Sequence, residues 1–159
     1  MAAFGHSFGP SNSTVHLNSN LSVACFEEIL KHDVVLVADH KTEAVGFLQF
    51  GRHEGSAIEG SNAWDIRRVY VQSRLQNAGV GRLLMEHAIS RLELADAKAI
   101  YLDVWEDNLA AQRFYARFGF SPIGKREFRV ASGKVTGSDL IMRRVRRVRK
   151  LLRSTNAVS

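Results

Sequence analysis

The stretch Val69–Gly81, "VYVQSRLQNAGVG", constrains the fold more than any other part of the chain. A β-branched run ends in a polar corner, and an amphipathic pattern begins directly beyond it. Trp64–Val71 predicts a strand. Gly79–Leu94 predicts a helix, because Val80, Leu83, Leu84, Ala88 and Leu92 recur at helical spacing while Arg82, Glu86 and Arg91 fall elsewhere. A strand feeding a helix through a glycine-containing turn leaves backbone N–H groups without helical partners, and the helix dipole adds partial positive charge there. Glycines at 79 and 81 allow close approach, since no Cβ intrudes. The corner therefore suits a phosphate or pyrophosphate; its alternative reading is a helix start whose glycines serve packing. Spelling excludes two nucleotide loops. There is no G-x-x-x-x-G-K-[ST] string, and Leu84 stands where G-x-G-x-x-G requires its third glycine.

The rest of the chain supplies partners for this unit. Leu21–Lys31 suits a short helix, and Val34–Ala38 with Ala44–Phe50 suits an antiparallel hairpin across the polar Asp39–Glu43. His53–Asn62 reads as a loop. Ala99–Val104 is a further strand. Leu109–Phe118 is a further helix, with Asn108 as N-cap and Gly119 as its stop. Phe120–Val130 and Asp139–Arg144 form a second hairpin across Ala131–Gly137. One strand–helix–strand crossover within an antiparallel series predicts an α/β (α+β) fold: a mixed, mostly antiparallel central sheet flanked by helices.

A chain of 159 residues with 45% apolar content suits one domain, residues 1–144, followed by a basic C-terminal tail, residues 145–159. No apolar run reaches the ~18 residues of a membrane span, and the N-terminus does not spell a secretory leader, which points to the cytoplasm. Cys25 is the only cysteine, so no internal disulfide forms, and it reads as packing. The net charge of +6 is uneven: Arg143, Arg144, Arg146, Arg147, Arg149, Lys150 and Arg153 crowd the end, and no acid follows Asp139. Val145, Val148, Leu151 and Leu152 recur at helical spacing between those cations. The tail is either a solvated extension whose apolar stripe caps the body, or a surface for nucleic acid, an acidic partner or an anionic membrane.

The corner is accompanied by a second motif. Gln76-Asn77-Ala78-Gly79-Val80-Gly81 spells Q-x-x-G-x-G after a strand, and Asn108, Ala111, Phe114, Tyr115, Gly119 and Phe120 spell N-x-x-A-x-x-F-Y-x-x-x-G-F further on. In this order and context the pair resembles the GCN5-related N-acetyltransferase (GNAT) superfamily over roughly Val34–Arg144. "FGHSFGP" near the start resembles the first-helix region of some members, which implies that the family's usual first strand and the start of that helix are missing here and leaves the acceptor-side wall open.

The resemblance implies acetyl-CoA as donor and a sheet whose strands splay at the site. It implies that the N–H groups of Gln76, Asn77, Ala78, Gly79, Val80 and Gly81, with Arg82, hold the pyrophosphate. Val69 and Val71 would pair with the pantetheine arm, and Asn108, Ala111, Phe114 and Tyr115 would face that arm and the sulfur.

N-acetylation by direct attack of a primary amine in a ternary complex needs an oxyanion donor, a base and an acid for the thiolate. Val69 N–H is the candidate donor. Tyr115 is the candidate acid, since a phenol of pKa about 10 stays protonated at neutral pH; its alternative is core packing beside Phe114. Asp65 matches an acidic position that members use for substrate or water contact, or is a solvated strand end. His6, His16, His32, His40, His53 and His87 show no metal-ligand spacing, so no metal is expected, and His87 reads as a packed helix residue. Trp105 reads as packing or a border of the acceptor slot; Glu106 and Asp107 read as a solvated turn or an attractor for a cationic amine.

The expected activity is acetyl transfer to an amine of a small molecule or peptide, with dimers common in the family. The competing expectations are a non-catalytic acyl-CoA- or nucleic-acid-binding module working through the tail, and an acyltransferase for longer acyl groups.

Overall fold

The computed structural model describes residues 3–4, 23–54, 62–129 and 135–146. Most of the basic tail, the middle of the loop after Arg52 and the tip of the last hairpin lie outside the described residues. The elements run β1 (Ala3–Phe4), α1 (Val23–His32), β2 (Val34–His40), β3 (Glu43–Arg52), β4 (Ala63–Val71), α2 (Val80–Ser90), α3 (Leu92–Ala95), β5 (Ala99–Trp105), α4 (Leu109–Ala116), β6 (Ser121–Arg129) and β7 (Val135–Val145). Both hairpins, the crossover and all three expected helices are present. The expected helix over Gly79–Leu94 divides: Arg91 is extended at φ −65°, ψ 147°, so α2 stops and α3 restarts.

Six strands lie in the order β2-β3-β4-β5-β7-β6, and β1 attaches to β4 off that path. The sheet is mixed and mostly antiparallel, as expected, with β4 and β5 parallel. Their pairing is short. It covers Ala63↔Ala99, Trp64↔Ile100 and Asp65↔Tyr101, after which β4 continues to Val71 and β5 to Trp105 without facing each other. β5 holds its other neighbour to the end, through Trp105↔Asp139 on β7. The sheet thus opens into a V whose vertex is at Asp65 and Tyr101. A register shift between Gln49 and Phe50 on β3 accompanies the opening.

Strand alternation sorts the two faces. On β5, Ile100, Leu102 and Val104 are buried while Tyr101, Asp103 and Trp105 are half-buried on the other face. The buried side joins Leu48, Phe50, Val69 and Val71 to Leu84, Met85 and Ala88 of α2 and to Ala111 and Tyr115 of α4 in one core. Leu83, part of the expected apolar stripe, is 51% exposed, so α2 buries a narrower face than its sequence spacing predicts. Gly46 of β3 lets α2 sit close, with a Cβ there 2.7 Å from Tyr70 O and 3.3 Å from Val80 Cγ1. Both helices that follow the split strands therefore pack on one face and point their N-termini toward the opening.

A candidate active site in the split of the sheet

The turn after β4 is built by backbone bonds. Gln76 N–H donates to Ser73 O at 3.3 Å and Ala78 N–H to Leu75 O at 3.3 Å. Asn77 and Gly79 adopt left-handed conformations, at φ 64° and 90°. For Gly79 this is the residue's purpose: a Cβ there would meet nothing within 4 Å, so only φ demands glycine, and the space beside it is open. The helical ladder of α2 starts with Leu83 N–H on Gly79 O, at 2.9 Å. The N–H groups of Val80, Gly81 and Arg82 precede it, as at every helix start. No side chain caps the end. Of the six turn amides named by the resemblance, those of Gln76 and Ala78 are engaged in closing the turn, and the rest of the donor set shifts toward α2.

This end opens on a cavity of about 610 Å³. Val69, Val71, Gln76, Asn77, Gly79, Gly81, Arg82, Asn108 and Phe114 all line it, so one space gathers residues from both motifs. Ala78, Val80, Ala111 and Tyr115 stand outside the lining. Ala111 and Tyr115 lie beneath it, at 0% and 1% exposure. Gly81 marks the waist: a Cβ there would sit 3.5 Å from Phe114 Cζ and 3.6 Å from Val71 Cγ2, in ordinary contact. Methyl fits there; anything longer grows into the cavity.

The gap-side edge of β4 is a second donor and acceptor set. Gln72 N–H donates to Val45 O, toward β3. Amides of an extended strand alternate between its edges, so those of Val71 and Val69 turn toward the split. Gln76 Nε2 donates to Val71 O at 3.4 Å. Ala3↔Tyr70 and Phe4↔Val69 pair β1 with the same edge, which sequence reading did not anticipate.

Charges at the cavity are poised near the mouth. Arg82 reaches Glu86 at 2.7 Å, one turn along α2, and this bond raises the Arg82 pKa. Arg117 also lines the cavity and lies over the Phe114 ring at 5.7 Å. Sequence reading missed Arg117; its spacing of three from Phe114 on one helix was the available signal. Asn108 Oδ1 accepts from Ala111 N–H at 3.1 Å and so caps α4 while lining the cavity. Tyr115 packs edge-on to Phe114 and Phe120, at 5.3 and 6.2 Å between ring centres. Burial alone pushes its phenol pKa well up, which holds it in the protonated form.

Asp65 lies apart from this cavity, at the vertex of the V. His53 Nδ1 stands 2.7 Å from Asp65 Oδ1, and the His53 ring stacks on Tyr101 at 4.7 Å. Burial, the largest influence, raises the Asp65 carboxyl above its usual range against the opposing pull of His53 and Arg67. His53 is the second residue that sequence reading did not place in a site. On the same face Asp103 is held by Arg126 at 2.5 Å and Glu106 by Lys125 at 2.9 Å, and Asp139 is buried opposite Trp105. Trp105 sits against β7, where a Cβ at Gly137 would fall 2.2 Å from its Cη2. Among the described residues no group of three or more His, Cys, Asp or Glu side chains could hold a metal.

A mixed sheet split beside a parallel pair, with an uncapped helix start and a glycine waist at the split, defines a fold built to take an elongated anionic ligand. Comparison with known proteins gives the family. Residues 5–120 match the model of the Acetyltransferase (GNAT) family, and the chain belongs to it. The chain is 33% identical over 92 residues to the spermine/spermidine N(1)-acetyltransferase of Bacillus subtilis, an alignment covering 56% of this chain and 60% of that protein. It spans less than two thirds of the length of that relative. The fold is shared with the ribosomal-protein-S18-alanine N-acetyltransferase of Escherichia coli, at TM-score 0.63 and 17% identity, covering 94% of this chain and 99% of that one. It is also shared with a GNAT acetyltransferase of Elizabethkingia anophelis solved with acetyl-CoA bound, at TM-score 0.63 and 14% identity, covering 91% and 97%.

Proposed function

We propose that this chain is an acetyl-CoA-dependent N-acetyltransferase that acetylates a primary amine. The observation that carries the reading is the single cavity shared by the α2 start, the gap-side edge of β4 and the α4 positions Asn108 and Phe114. Its parts fit the donor's chemistry. The ladder-free amides of Val80, Gly81 and Arg82 meet a diphosphate, with the Arg82 and Arg117 guanidiniums beside it. The amides of Val69 and Val71 face the split, and an amide-bearing arm laid along them as a strand takes the place that Ala3–Phe4 holds at Val69. Bound there, acetyl-CoA supplies an activated acetyl thioester.

The residues around it divide the remaining work. Val69 N–H donates to the carbonyl oxygen as negative charge grows on it. Tyr115, kept protonated by burial beneath the cavity, is the proposed donor to the departing sulfur once the bound arm uncovers its hydroxyl. The proton lost by the acceptor ammonium leaves toward Asp65, where the two strands join. Asp65 at the vertex favours a cationic acceptor, while Asp103 and Glu106 beside it are already paired with Arg126 and Lys125. The name of the Bacillus subtilis relative puts polyamines first among amines to test, and peptide N-termini second. The proposed working compartment is the cytoplasm.

Thiol release from acetyl-CoA, measured with a panel of polyamines, aminoglycosides and peptides, tests the reading. Turnover that depends on one of these amines is expected. Absence of turnover with all of them, together with no saturable CoA binding, rejects it; CoA binding without turnover favours a non-catalytic acyl-CoA-binding module.

A further inference from the structure

The proton-accepting end of the site holds a pair, and the second member comes from the segment just after β3. We propose that His53 and Asp65 act together in removing the acceptor's proton: Asp65 receives it, through intervening water, and His53 conducts it to solvent. This deepens the acetyltransferase reading and rests on it.

Three observations carry the inference. The His53 Nδ1 to Asp65 Oδ1 distance of 2.7 Å is a direct hydrogen bond. The imidazole is fixed by stacking on Tyr101, 4.7 Å between centres, and its backbone N–H donates to Ala63 O at 3.1 Å. Both side chains are 24% exposed, so the pair bridges the covered vertex and water. Asp65 precedes Val69 by four residues, so in an extended strand it lies roughly 13 Å along from the oxyanion donor, a span that water or substrate must bridge.

A second group gives the proton a way out. A carboxylate buried enough to have its pKa raised becomes a better base, but it also holds the proton it takes. The next acetylation waits until that proton leaves. An imidazole has two ring nitrogens: Nδ1 takes the proton from Asp65 as Nε2 releases one to water, and proton exchange with solvent then restores the starting tautomer for the next turnover. Atoms balance, since the amine loses one proton and the solvent gains one.

The charged neighbours are compatible with this path. On β4, Arg67 favours the ionised Asp65, and on β5, Asp103 opposes it. Arg67 is itself held by Asp33 at 3.0 Å and by Glu54 at 3.0 Å. Asp103 is offset by Arg126 of β6. Tyr101 is the remaining titratable group on the ring.

His53→Asn separates conduction from hydrogen bonding, because an Asn side chain can still hydrogen-bond Asp65 but cannot relay a proton. The expected result is a fall in kcat/KM of about 10²-fold for the cationic amine. CoA affinity by calorimetry should be unchanged. In His53→Ala, added imidazole should restore product formation in a dose-dependent way, the acetylated amine being measured directly. Full turnover with an unchanged pH profile in His53→Asn, or no rescue of His53→Ala, overturns the proposal. Loss of the parent's own CoA binding and turnover would instead reject the acetyltransferase reading, which keeps the two failures distinct.

Discussion

Tyr115 shows how one side chain serves two levels of the account. Its ring completes the core between Phe114 and Phe120, and its hydroxyl is kept protonated by that same burial. Phenylalanine preserves the ring and removes only the proton. Tyr115→Phe is therefore expected to unfold at nearly the parent temperature and to bind CoA with parent affinity, while turnover drops by about 10²-fold. Equal turnover would remove the hydroxyl from the chemistry. Gly137 makes the opposite kind of demand. A Cβ there collides with the Trp105 ring, so Gly137→Ala should cost about 1–3 kcal/mol through forced repacking. Denaturant unfolding followed by tryptophan fluorescence reads both the loss and the ring's displacement; an unchanged midpoint and spectrum would show that Trp105 yields freely.

At the level of elements, the site is a meeting of two helix starts with contrasting ends. α2 begins uncapped on a left-handed glycine, which leaves its amides to a ligand. α4 begins on Asn108, whose side chain satisfies Ala111 N–H. Removing that cap by Asn108→Ala should destabilise the protein by about 1 kcal/mol. The same change alters the cavity wall, so CoA affinity should fall with it; a melting temperature equal to the parent's would show that the bond is not holding α4. The two helix starts were legible because each is spelled locally, by a strand ending, a turn residue and a helical period. The division of the helix at Arg91 was not, because Leu92 continues the apolar spacing and only backbone dihedrals record the break. The pairing of Ala3–Phe4 with β4 was also illegible: two residues carry no period, and their partner edge exists only once the sheet has split.

The whole molecule is organised by that split. β4 and β5 part because each has a firm neighbour elsewhere, β3 on one side and β7 on the other, and only three register pairs hold them together. The sequence order of strands made a crossover legible, and the resemblance supplied the expectation of a splay. The chemical content of the vertex was less legible. Asp65 could be named because the resemblance gives an acidic position just before Arg67-Arg68-Val69, but His53 reaches it across twelve residues of sequence and a strand edge, so only the assembled sheet joins them. Arg117 belongs to the same class, since its role depends on which helix face meets the cavity.

The central claim is that an anionic donor occupies the cavity whose waist is Gly81. The most direct measurement is calorimetric titration of CoA into the parent, Gly81→Ala and Gly81→Trp proteins, each first shown folded by circular dichroism. A methyl at this position meets Phe114 and Val71 at ordinary contact distance, whereas an indole fills the space between them and beyond. The account predicts saturable one-to-one binding to the parent, binding within a few-fold for Gly81→Ala, and at least about 10²-fold weaker binding for Gly81→Trp, equivalent to roughly 2.7 kcal/mol. Folded Gly81→Trp protein that binds CoA as tightly as the parent would contradict it.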